Sequence, residues 1–82
     1  MKFPSVSYDE AADVLYVQLA AGAVHQTVSL GDLRMIDEAN DGTVLGVEFV
    51  SASDGVDLAN VPFADTIATA IGDSGLPIRA YA

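Results

Sequence analysis

DEANDGTVLGVE, residues 37–48, is the stretch whose reading decides the fold. Asp37 at its first position, Asp41-Gly42 at its fifth and sixth and Glu48 at its twelfth fit the loop of a helix–loop–helix calcium site. Two features oppose that fit. Ala39 stands at the third position, where such a loop needs an oxygen ligand, and the flanks GDLRMI and GVEFVSA are punctuated by glycine and rich in strand formers. Read as strand, turn and strand, the same residues agree with one another: Asn40-Asp41-Gly42 supplies the positive φ of a tight turn, and Glu48 lies on the outward face of the second strand. The stretch is therefore a β-hairpin, and the chain is built on a sheet.

C-terminal to that turn, VLGVEFV (44–50) places Leu45, Val47 and Phe49 on one face and Val44, Gly46, Glu48 and Val50 on the other. N-terminal to it, VHQTVSL (24–30) alternates with Val24, Val28 and Leu30 inward and His25, Thr27 and Ser29 outward. Beyond Gly31-Asp32 the apolar positions become Leu33 and Met35, odd where they had been even. A bulge or kink at Gly31 would produce that switch, so 24–36 is expected to be one long bent strand, with Ile36 outward if the bend turns it that way. Earlier, VLYVQLA (14–20) sets Leu15, Val17 and Leu19 against Val14, Tyr16 and Gln18. FPSVSY (3–8) precedes it across DEAAD as its hairpin partner, and Pro4 suits an edge strand because it cannot donate to a ladder.

The last segment changes period. In PFADTIATAIGDSG, Phe63, Ile67, Ala70 and Ile71 recur at helical spacing, with Pro62 suited to the first helical position and Gly72 or Gly75 to the end. LPIRAY can add a short final strand. The expected fold class is α+β, a four-stranded antiparallel β-meander with one C-terminal α-helix packed on one face. The expected organisation is a single domain over 1–82, with sheet at 1–50, a connection at 51–61 containing the linker-like SASDGVDLAN, and helix and tail at 62–82.

Composition narrows the function classes. Hydrophobic residues make up 51% of the chain and charged residues 18%, a packed globular composition and not a disordered one. Twelve acidic residues against three scattered basic ones, Lys2, Arg34 and Arg79, give a net charge of −9, which repels phosphate backbones and anionic lipids. Neither nucleic acid nor membrane is expected as a partner. With no cysteine there is no disulfide framework and no thiolate chemistry. The opening MKFPSVSYDE meets a proline and an acidic pair before any apolar run, so a cytoplasmic location is expected.

Tyr8-Asp9, Asp13, Leu15-Tyr16-Val17, Asp37 and Gly46-Val47-Glu48, taken together, resemble the small bacterial family known as domain of unknown function 2283. Pro62 and Gly75-Leu76-Pro77 fit its longer, helix-tailed members; Val47 and Phe49 stand where members more often carry Ile and an aliphatic residue. The resemblance implies an antiparallel sheet with a helix, and no activity.

Chemistry is sparse. Asp9, Glu10 and Asp13 could serve as paired carboxylates or a hard-cation site, but they sit in a polar turn where aspartates bond nearby amides. His25 is the only histidine and, without cysteine, cannot complete a zinc site. No glycine pattern meets a phosphate. No catalytic residue, metal site or cofactor is therefore expected. The outward face differs, because Val14, Tyr16, Val44 and Val50, with Glu48 among them, put apolar side chains where a solvated face carries charge. These five residues are the expected interaction surface, with Tyr16 as its anchor, and a homodimer or another protein is the expected partner. The alternative is a divalent-metal or small-ligand binding protein, or a small hydrolase, using the acidic turns.

Overall fold

The computed structural model describes residues 2–82. Among them the strands are β1 (Ser5–Asp9), β2 (Val14–Gln18), β3 (Gln26–Ser29), β4 (Arg34–Glu38), β5 (Val44–Val50), β6 (Val56–Asp57) and β7 (Ala80–Tyr81), with helix α1 (Ala64–Asp73) and a 3-10 turn at Ala52–Asp54. The fold is α+β. An antiparallel five-stranded sheet runs in the order β1-β2-β5-β4-β3, and β6 and β7 pair in parallel on either side of α1 in the chain.

Two expectations about the sheet are corrected. Residues 24–36 form not one bent strand but the hairpin β3–β4, so there are five strands and not four. Gly31 takes a left-handed φ of 83°, and Leu30 N–H donates to Arg34 O at 2.8 Å to close the reversal. The inward parity does not change across this reversal: Val28 and Ile36 face each other on one side, whereas Leu33 lies exposed in the turn and Met35 stands on the other face opposite Glu48. The apparent switch at Gly31-Asp32 came from a turn residue and an outward side chain. Nor is the sheet a simple meander: β2 neighbours β5, and residues 19–25 carry the chain to the far edge. Leu19 and Ala20 N–H both donate to Leu45 O as they cross.

Faces follow from register. Val6, Val17, Val47, Ile36 and Val28 stand opposite one another in a single row across all five strands. α1 lies over the β1 end of that face and buries Ile67, Ala70 and Ile71 against Leu15, Val17, Val47 and Phe49. Ile36 is buried on this inner face; Val28 shares the face as expected but is exposed, and Val24, expected inward, is exposed as well. The register shifts at Asp37/Glu38, where Glu38 faces Val44 and Asp37 faces Gly46. The extra residue reverses the expected facing there: Val44 packs toward the core, and Leu45 is buried outside the core cluster with its methyls against Gly22.

The C-terminal third holds two further corrections. The linker-like connection is packed structure, with Ala52, Val56, Leu58 and Val61 all in the core. Arg34 ties it to the sheet, donating to Asp57 O at 3.3 Å and to Ala59 O, with the Asp57 carboxylate 4.0 Å away. Phe63 does not cover the sheet. It stands just before α1 in a left-handed conformation (φ 58°) that leaves its side chain 60% exposed. Gly75, with φ 76°, follows the helix C-cap at Ser74, as the sequence suggested.

Candidate interaction surface

Of the three turn carboxylates that could have served chemistry, Asp9 and Asp13 are engaged in the fold and Glu10 is exposed. Asp13 adopts φ 56° at the end of the β1–β2 turn. Its Oδ1 accepts from Tyr8 Oη at 2.7 Å and from Ser53 N–H at 2.9 Å, and its Oδ2 accepts from Ser53 Oγ at 2.6 Å. Ala52 N–H donates to Asp13 O, so the hairpin turn is latched to the 3-10 turn forty residues on. The Ser53 hydroxyl, then the Tyr8 hydroxyl and the Ser53 amide, hold the Asp13 carboxyl below its ordinary range, while that bond, burial and the nearby acidic charges push the Tyr8 phenol up. Asp9 accepts from Ala12 N–H, which makes 9–13 the polar turn it was expected to be.

A second tyrosine–aspartate pair lies on the opposite face of the sheet. Tyr16 Oη donates to Asp37 Oδ2 at 3.0 Å, and Thr27 Oγ1 donates to Asp37 Oδ1 at 2.7 Å. The bond spans β5, and it can do so because Gly46 has no side chain: a Cβ there would meet Tyr16 Oη at 2.2 Å. Burial first, then the Asp37 hydrogen bond and the charges of Asp37 and Glu48, push the Tyr16 phenol up to about 12. Its hydroxyl is therefore held by the sheet and is not a free polar tip.

Four of the five expected surface residues come together. Val14 pairs with Val50 and Tyr16 with Glu48, two successive cross-strand pairs on the face away from α1, all half-buried. Val44 is apart, in a recess of about 440 Å³ on the helix side with Phe3, Pro4, Leu19 and Phe63. The turn between β4 and β5 is the expected hairpin: Gly42 has φ 87°, and Thr43 N–H donates to Asp41 Oδ1. The Thr43 hydroxyl and amide hold the Asp41 carboxyl low. Among the described residues no three imidazole or carboxylate side chains converge as metal ligands would.

The surface that alternation did not reveal is the β3 edge. Every residue from 21 to 29 is exposed, including all four of β3. Val24 is 54% exposed, Val28 38% and Leu33 52%; with Phe63 and Tyr81 they are the large apolar side chains most open to solvent among the described residues. A signal was present in composition: from Val14 to Gly31 the chain carries no Asp, Glu, Lys or Arg. The other edge, β1, is guarded by Pro4 before it, Asp9 and Glu10 at its end and α1 packed against it.

Fold and surface together define a small acidic α+β domain whose conspicuous polar residues brace the sheet. A family described as protein of unknown function, DUF2283, matches residues 5–53, and the chain belongs to that family. No curated protein and no solved structure matches the chain. The match ends at Ser53, the residue that closes on Asp13, so the sheet and both tyrosine–aspartate pairs lie within it, while β6, α1 and β7 lie beyond.

Proposed function

We propose that this protein is a non-catalytic binding module that self-associates as a homodimer. The observation that carries the reading is the exposure of Val24, Val28 and Leu33 at the β3 edge of the sheet, where the chain carries no charged side chain from Val14 to Gly31. Tyr8, Asp13, Tyr16 and Asp37 are occupied with one another and with Ser53 and Thr27. That supports binding over catalysis. We place it in the cytoplasm because a chain without cysteine draws nothing from an oxidising compartment; no helix among the described residues is long and apolar enough to cross a membrane.

The test is the molar mass by light scattering across micromolar concentrations at low and high salt. A dimer is expected, and it tightens with salt as the −9 charge on each copy is screened. A monomer at every concentration and salt would overturn the reading.

A further inference from the structure

We infer that the second copy docks on the β3 edge, antiparallel and about a two-fold axis at Val28, so that two five-stranded sheets become one. The inference rests on the self-association proposed above and names its surface.

Backbone direction comes first. Leu30 N–H donates to Arg34 O, so by the two-residue alternation of an antiparallel ladder Gln26 and Val28 aim their backbone groups at β4. Thr27 and Ser29 aim theirs off the sheet. His25 N–H turns back to Glu38 O, which ends the outward row at Thr27. Two copies related by a two-fold axis at Val28 set Thr27 of each against Ser29 of the other, the residues whose donors and acceptors are open. Val28 then faces its own counterpart at a non-hydrogen-bonded position, where Cα atoms stand about 4.5 Å apart.

Side chains give the same register. The apolar row Val6, Val17, Val47, Ile36 and Val28 runs across the whole sheet and breaks off at Val28, which is 38% exposed although its neighbour Ile36 is buried. α1 covers the β1 end of that row and does not reach the β3 end. The two-fold continues the row into the second copy, apolar against apolar.

Charge selects a second copy over another protein. The window 25–31 opposes itself in this register, and it holds no carboxylate in a chain that has twelve acidic residues. Like-charged copies can meet here with their repulsion at a distance, whereas a basic partner would find no anion to pair with. The same pairing at β1 would bring in Asp9 and present Pro4.

The absence of native cysteine makes the test direct. Val28→Cys, placed at the axis, should form an intermolecular disulfide about tenfold faster than Ser7→Cys on the exposed side of β1, because the dimer raises the local concentration of its own thiol. Thr27→Pro removes an outward N–H and leaves the backbone ladder to β4 in place, but it also loses the Thr27 hydroxyl's bond to Asp37, which Thr27→Val loses while keeping the N–H. The proline variant should weaken the dimer about tenfold or more relative to Thr27→Val, with the circular dichroism spectrum unchanged. A parent dimer that Thr27→Pro weakens no more than Thr27→Val, with Val28→Cys no faster than Ser7→Cys, would overturn the β3 edge and leave self-association standing. A parent that is monomeric throughout removes both.

Discussion

Tyr8 with Asp13 and Tyr16 with Asp37 are the same chemical pair used for two different tasks. The first works within a surface turn, holding Asp13 at φ 56° and fastening it to Ser53, and its tyrosine and carboxylate remain close to water. The second works across the sheet, from β2 to β4 over β5, with a half-buried ring seated on Gly46. A bond from β2 to β4 of this length requires β5 to lie between them, so the second pair belongs to one strand order and the first would survive in several. One pair therefore secures local backbone, and the other secures topology. Tyr8, Asp13, Tyr16, Asp37 and Gly46 of this chain are in this light residues that hold the sheet together.

The largest expected effect follows from removing the gap that the second pair needs. Gly46→Ala puts a methyl where Tyr16 Oη and Cζ now lie, at 2.2 and 2.4 Å, so the ring must leave its seat and give up Asp37. We expect a loss of about 2 kcal/mol, within the usual range for forced overpacking. For a domain of this size that lowers the melting temperature by roughly 10 °C. In a Tyr16→Ser background the same change should be close to neutral, since alanine costs less entropy than glycine in a strand. Equal losses in the two backgrounds would show that the ring is not what reserves the space.

The first pair should give a smaller and differently ordered effect. Asp13→Asn keeps a residue that tolerates left-handed φ and keeps one acceptor oxygen, while Asp13→Ala loses the acceptors for Tyr8 and Ser53 and the tolerance together. Thermal melts should rank parent above Asn above Ala. The carboxyls of Asp13 and Asp41 are both lowered in the folded chain, so their contribution is complete above the ordinary value of 3.8 and is lost as pH falls through the folded values. Asp13→Asn should therefore flatten the acid limb of the stability profile. Coincident melts for the Asn and Ala variants would mean that the latch is not held by the carboxylate.

How far the sequence reaches depends on whether a feature is local. Asp41-Gly42 with its flanking alternation marks the β4–β5 hairpin, and Ile67, Ala70 and Ile71 mark the buried stripe of α1, because each rests on neighbours in the chain. Local alternation likewise puts Val14 with Tyr16 and Glu48 with Val50, but that the two pairs meet on one face depends on β2 pairing with β5. The place of β5 between β2 and β4 is set by pairing between distant segments, which no local period encodes. Val44 was misplaced by one inserted residue opposite Asp37/Glu38, and Phe63 by a left-handed backbone that helical spacing does not show. The β3 edge was hidden because Val24 and Val28 alternate like core residues on a strand that runs beyond the reach of the only helix among the described residues.

The smallest effect separates the two tyrosines by pH. Tyr16 is raised from 10.0 to about 12, chiefly by burial and then by its bond to Asp37. A raised value means that the folded chain keeps its proton when the unfolded chain has lost it. The associated stability is complete below pH 10 and falls away as pH rises from there toward 12. Tyr16→Phe keeps the ring on Gly46 and deletes the ionising group, so its stability should decline less steeply over that window than the parent's. At neutral pH the variant should lose no more than about 1 kcal/mol, the scale of one partly solvated hydrogen bond. Tyr8→Phe supplies the contrast, because the Tyr8 phenol is raised by its hydrogen bond to Asp13 first and by burial only second. Urea titrations at neutral pH and at steps between pH 10 and 12 would measure all three chains. If Tyr16→Phe tracked the parent and Tyr8→Phe alone departed from it, the alkaline limb would belong to the turn, and the cross-sheet pair could not be the one whose burial matters.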